Sequence, residues 1–439
     1  MSTPSPGRVS FAPDDAGAPH TGSTLLRAAM AEAVDRFPAA FGELRIPEDP
    51  KQFKRVLPDL IVQFEARRAD APDRVDIARV LAAYVPDRTL LDGEPLGDAL
   101  VRGRAASPPM SRRGTAPTGW TPSVPWGDRR FEGAVIEALA DEMLRAHCLT
   151  RPAADALRWM ATERLRQPLD LDGETFVILG AGAELAPTEL LLRAGARVLW
   201  LDVRPPFGIT DTDHAGTLVH RPTIGDLLQD PAAVWAAVAD EATNRPIHAL
   251  LYAYAPGGGR ELLLTSVMNT LVSRLPNGAL RSVSMLVSPT TPGEVSPHER
   301  AVRTERRAAS PRWQRALARI RVLPEPAFHA AGGTEVARSI VALQGPTYLA
   351  AQYLAKMMAA ESWSTDLRPA RISANVAGIT RTRSLEHPLF QAGFLGAPAF
   401  GIRVFDPEET RVLAALLMLH DVLRPDAPGA DPTGGPAAV

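Results

Sequence analysis

A β-branched apolar run, TFVIL at 175–179, ends in Gly180-Ala181-Gly182 and leads into a helix-length segment, ELAPTELLLRAGA. Glycines at such a turn let backbone approach a pyrophosphate, and a helix N-terminus supplies free N–H groups and positive potential. Asp202 ends the next apolar run, RVLWLDV, twenty residues after Gly182, where a carboxylate can accept from ribose hydroxyls. Arg204 stands two residues later and offers the alternative, a cation for a 2′-phosphate. The fingerprint is incomplete, because Leu185 and Ala186 fill the positions near a third glycine. Farther along, Tyr348, Gln352 and Lys356 recur every four residues and so share one face of a predicted helix. Ser288 ends the strand-like run SMLVS, with Thr290 and Thr291 behind it, and Asn269 lies mid-helix in ELLLTSVMNTLVSRL. These types can bind a nucleotide and move protons. Each also has a plain structural reading: a tight turn, a solvated lysine, a packing tyrosine, a turn-forming serine.

The elements that must position them begin at Thr175. Apolar strands (TFVIL, RVLWL, TLVH, IHALLYAY, RSVSMLVS, RISANVAG) alternate with helical patterns, among them PAAVWAAVADEA, GPTYLAAQYLAKMMAAESW and PEETRVLAALLMLHDVL. That alternation predicts an α/β domain, a doubly wound parallel sheet of Rossmann-like type, over residues 171–424 with an insertion at 292–343. Before it the chain reads as helical or irregular, with no strand signal. Residues 24–103 form a helical accessory region, 104–128 a linker, and 129–170 a helical hairpin packing on the next domain. Residues 1–23 and 425–439 are rich in Pro, Gly and Ala and are expected to be disordered.

The ordered set of segments resembles the short-chain dehydrogenase/reductase family in a divergent form. GDLLQDPAAVWAAVADEATNRPIHALLYAYA looks like the family's stretch from third to fourth strand, which implies that Asp226 contacts the adenine. PTYLAAQYLAKMMAAESW followed by RISANVAGITRT resembles the active-site helix and the strand after it. Gly378-Ile379-Thr380-Arg381-Thr382 matches the family's Pro-Gly-x-x-x-Thr turn, with Ala377 in place of proline, and puts Gly378 and Thr382 on the cofactor. The resemblance makes Tyr348 the proton donor, Ser288 the hydroxyl orienting a carbonyl, and Asn269 the holder of a relay water. A lysine beside the tyrosine would lower its pKa, since a phenol near pKa 10 is a poor acid–base at neutral pH without a cation. Gln352 stands where that lysine is expected, and Lys356, one helical turn farther on, is long enough to reach back and take its role as pKa modulator of Tyr348 and ribose contact. Tyr252-Ala253-Tyr254-Ala255 replaces the family's Asn-Asn-Ala-Gly, yet still permits close backbone approach, which keeps Ala255 among the cofactor contacts.

Near-neutral charge (net −2) gives no reason to expect nucleic acid or an anionic membrane. One cysteine, Cys148, excludes an internal disulfide and a cysteine zinc cage, no metal-ligand spacing is present, and a cytoplasmic setting is expected. No apolar run reaches the roughly 18–20 residues of a membrane span, and no secretory signal is read at the start. The insertion carries eight arginines, at 300, 303, 306, 307, 312, 315, 319 and 321. They read either as a solvated helix or as a basic arm for an acyl-CoA or an acyl carrier protein. The expectation is an NAD- or NADP-dependent reductase of a carbonyl or enone, acting on a mid-sized organic or acyl substrate and forming a homo-oligomer. The altered motif keeps a second reading open: a catalytically degenerate relative that binds a nucleotide or partner without hydride transfer.

Overall fold

The computed structural model describes residues 9–14, 17–18, 20–102, 107–221, 225–255, 259–319, 328–338, 345–367 and 369–424. Residues 1–8 and 425–439, part of the stretches expected to be disordered, lie outside them, as does Arg321. Fifteen strands occur among the described residues: β1 Val9–Phe11, β2 Thr89–Leu91, β3 Glu94–Pro95, β4 Met110–Arg113, β5 Ser123–Trp126, β6 Arg129–Glu132, β7 Thr175–Leu179, β8 Arg197–Leu201, β9 Thr217–His220, β10 Ile247–Leu251, β11 Leu280–Val287, β12 Gly293–Glu294, β13 Phe328–Ala331, β14 Thr334–Ala337 and β15 Arg371–Val376.

Seven of them build the main sheet in the order β15-β11-β10-β7-β8-β9-β4. All neighbours pair in parallel except β4 with β9. The first strand of the series, β7, is central: the chain steps outward through β8 and β9, then returns to β10 and moves the other way. The strand order therefore reverses between β7 and β10, and the carboxyl ends of strands at such a switch point are where open α/β sheets bind ligands. Every residue of β7 and β10 is buried, as two-sided cover by helices requires of strands that read as continuous apolar runs.

Two cores cover the two faces. One packs the helices Ile136–Arg145, Arg151–Trp159 and Pro407–Leu423 over Phe176, Ile178 and Val198. The other packs Pro231–Asn244, Arg260–Ser273 and Ala359–Asp366 over Val177, Leu199 and Val283. A third core joins the N-terminal helices Gly22–Arg36, Pro50–Asp70 and Arg74–Tyr84 to the helix starting at Gly345. At its centre Arg68, fully buried, bonds Glu65 (2.7 Å) and Glu361 (2.8 Å), and Tyr353 donates to Glu65 at 2.6 Å. No described helix is long and apolar enough to cross a membrane.

The expectation of a helical or irregular N-terminal region without strands is corrected by six strands. β1, β2 and β3 form a small antiparallel sheet, and β5–β6 is a hairpin turned at Gly127, with Val124, Trp126 and Phe131 buried on one side. The expected linker supplies β4, whose residues Met-Ser-Arg-Arg are mostly exposed. Nothing in that polar run signals a strand. It forms because β9 offers an open edge, and a charged sequence is the kind that safely ends a sheet.

Two further differences bear on the site. The helix expected straight after the glycine turn begins only at Thr188, behind Pro187, and spans six residues. The long helix from Gly345 is interrupted at Tyr353–Met358 by a π turn, so Lys356 leaves the stripe expected from regular α spacing.

Candidate functional site

The crevice at the carboxyl edge gathers side chains from four elements. Lys356, in the π turn and largely buried, donates to the carbonyl oxygen of Leu286 on β11 (3.2 Å) and lies 3.6 Å from Glu261. Glu261 occupies the first turn of the helix Arg260–Ser273 and accepts the Ala255 N–H at 3.0 Å. Burial raises its pKa, against the pull of the Lys356 ammonium and the Ala255 N–H. Gln352 is buried between them: its Oε1 accepts the Ser288 N–H at 3.0 Å and its Nε2 stands 3.5 Å from Glu261. The Ser288 hydroxyl pairs with that of Thr290 at 3.0 Å. The cation therefore faces a buried carboxylate, which sequence reasoning missed; its one signal is an acid opening an otherwise apolar helix at the switch point.

Tyr348 is half-buried one turn before Gln352, and it is Gln352 that the structure bonds to Ser288. The phenol beside the acid–base cluster is another one, Tyr254, on the loop after β10 and 40% exposed. Burial and the nearby Glu261 carboxylate raise its pKa, opposed by a hydrogen bond with Ser384. Tyr252, buried nearby on the chain, is pushed far up by desolvation alone. Asn269 is buried and donates to the carbonyl of Ala355 at 2.7 Å, inside the π turn. Its side chain thus holds the backbone that carries Lys356.

Among the expected cofactor contacts, Gly180 (φ +88°) and Gly182 form the turn between β7 and β8, and Asp202 follows β8. A Cβ on Gly180 would stand 2.3 Å from the Ala253 nitrogen, so this glycine is required by strand packing before any ligand. Asp202 accepts the N–H of Gly182 and that of Arg204, both at 3.0 Å, and Arg204 itself is exposed. The turn also carries a carboxylate: Glu184 accepts the Arg383 N–H at 2.9 Å and pairs with its guanidinium at 3.3 Å. Asp226, expected to contact the adenine, caps the next turn with its Oδ1 through Leu228 N (2.9 Å) and Gln229 N (3.2 Å). Ala255 commits its N–H to Glu261. Thr382 bonds Ser384 at 2.9 Å, and Gly378 packs under Phe405 and lines a separate cleft beside Cys148.

As a donor set, Asp202 fits a ribose: a half-buried carboxylate at a strand end, oriented by two backbone N–H groups. The turn itself brings a glutamate, and the helix Thr188–Arg193 reaches it through the Thr188 hydroxyl, which donates to the carbonyl of Ala181 at 2.6 Å. No described cluster of three His, Cys, Asp or Glu could hold a metal.

No protein-family profile matches this sequence, and no curated protein does. Among solved structures, one that matches is the MalC reductase/Diels-Alderase from Malbranchea aurantiaca, at 13% identity over 62% of this chain and 93% of that chain, with a TM-score of 0.36. A likeness that loose transfers neither fold nor chemistry.

Proposed function

We propose that the chain is a Rossmann-like oxidoreductase, a divergent relative of the short-chain dehydrogenases, that binds NAD or NADP and reduces a carbonyl or enone of an organic or acyl substrate. The observation that carries this reading is the convergence of Lys356, Glu261, Gln352, Ser288 and Tyr254 at the carboxyl edge, beside the switch point between β7 and β10. A bound nicotinamide would supply the hydride. Asp202 would hold its ribose, with Arg204 the candidate for a 2′-phosphate. Ser288 and Gln352 orient the substrate oxygen, and Tyr254 gives that oxygen its proton, a role the sequence assigned to Tyr348. At neutral pH this phenol carries its proton, and its raised pKa makes it a weaker acid than a free phenol, so its donation depends on the cation of Lys356 nearby. Lys356 and Glu261 keep the water-poor floor of the cleft electrically balanced.

A second reading is favoured by two specific features, Glu184 in the glycine turn and the neutralisation of Lys356 by Glu261. It is a protein that binds a nucleoside-bearing ligand without hydride transfer. Titration of the protein with NADH and NADPH, followed by nicotinamide fluorescence, separates the two. The reductase reading expects binding below millimolar concentration, weakened by Asp202→Ala. No binding of either at millimolar concentration ends it. With a reducible substrate in hand, Tyr254→Phe should abolish turnover and Tyr348→Phe should spare it; the reverse pattern restores Tyr348 as the acid.

A further inference from the structure

One residue past Ser288 the chain enters a second cleft, about 40 Å³ in volume, between the ends of β11 and β15. Its walls include His147, Cys148, Arg306, Ile379, Arg403 and Phe405, and none of the residues lining it is an aspartate or glutamate. Arg403 is stacked 3.6 Å from the centre of the Trp126 ring and bonds the buried Glu409 at 2.6 Å. Its buried Nε–H finds no acceptor among the described residues. A buried donor left in that state calls for an acceptor from outside the chain. Arg306, from the arginine-rich insertion, donates to the carbonyl of Gly401 at the same cleft. Both guanidinium groups act on the Cys148 thiol, as does the Glu409 carboxylate paired with Arg403, so two cations and one anion surround that point.

We propose that this cleft receives the carboxylate head of the substrate, while an apolar body lies over Ile379, Ile402 and Phe405. The cleft is small and open to one side, so it takes a head group with the rest of the ligand lying outward, and the excess of cation over carboxylate at its walls sets the sign of the ligand. A planar guanidinium matches a carboxylate through paired N–H groups. Ser288 then stands one residue away, on the side where the reducible group would lie. The proposal rests on the reading of the carboxyl edge as the substrate side, but its test needs no nicotinamide and so fails or succeeds separately.

Cys148 is the only cysteine in the chain, which makes its labelling a clean reporter. The rate with the dianionic aromatic disulfide 5,5′-dithiobis(2-nitrobenzoate) is compared with that of neutral 4,4′-dithiodipyridine, each relative to a free thiol. The expected result is a preference for the dianion of about 10-fold from local concentration, with protection by millimolar benzoate stronger than by inorganic phosphate. Arg403→Gln and Arg306→Gln should each erase most of the preference, the neutral reagent's rate changing only with the thiolate fraction, a factor common to both reagents. Arg306→Gln disturbs only a bond to a backbone carbonyl, so it decides the matter should loss of the Glu409 partner prevent Arg403→Gln from folding. Equal relative rates in the wild type, a preference unaffected by Arg306→Gln, or better protection by phosphate than by benzoate would each overturn the assignment.

Discussion

Replacing Lys356 by methionine tests the floor of the crevice most directly. The ammonium and the Glu261 carboxylate are 3.6 Å apart with side chains 12% and 5% exposed. At an effective dielectric of about 20, a pair at 3.6 Å attracts by about 4.6 kcal/mol before desolvation is counted. Lys356→Met strands Glu261 in apolar surroundings, and removing one partner of a buried pair typically costs about 3–5 kcal/mol. Glu261→Gln alone leaves the ammonium to the Leu286 carbonyl. The double variant has no stranded charge, so it should lose less than the two single variants combined, with a coupling of about 2–4 kcal/mol by urea denaturation. The pH dependence has a definite sign. Glu261 is raised above its ordinary 4.5 in the folded state. Its contribution to stability is therefore greatest below that value and is lost as pH rises toward the folded pKa. Lys356→Met should extend this loss to higher pH, and Glu261→Gln should remove it. Additive single and double variants, or a pH profile unchanged by Lys356→Met, would refute the pair as described.

Other expectations follow from the same coordinates. Arg68→Met should destabilise by about 3–5 kcal/mol in thermal or urea unfolding, because Glu65 and Glu361 lose their shared, fully buried cation. Gly180→Ala combines a left-handed φ with a Cβ 2.3 Å from backbone nitrogen, whereas Gly173→Ala has a similar φ and open space around it. The first should cost at least about 2 kcal/mol more than the second; equal losses would show that the β7 turn can shift. Burial outweighs the two arginines at Cys148 and lifts its thiol above the ordinary 9.0. The iodoacetamide alkylation rate should therefore reach half its maximum above pH 9.0, and a midpoint below it would show that the cations win.

Much of the sheet was written in local pattern. TFVIL and IHALL can sit only between two layers of helices, since every residue in them is apolar or packs as such, and a parallel order follows from the helical spacers. The position of Asp202 after β8 followed from the same period. What sequence could not yield is anything set by partners distant in the chain. The polar strand β4 exists because β9 has an edge to fill, and backbone pairing of that kind needs no side-chain signature. The Tyr348 stripe assumed uninterrupted α geometry, and Asn269 and Glu65, bonded to Ala355 and Tyr353, hold a π turn there instead. Glu261 and Lys356 are each unremarkable as letters. Only folding, by removing both from water at 3.6 Å, makes one the condition for the other. Local pattern thus determined the strands and the edge where the chain reverses, while tertiary packing decided which side chains meet there, because only burial brings Lys356 and Glu261 together out of water.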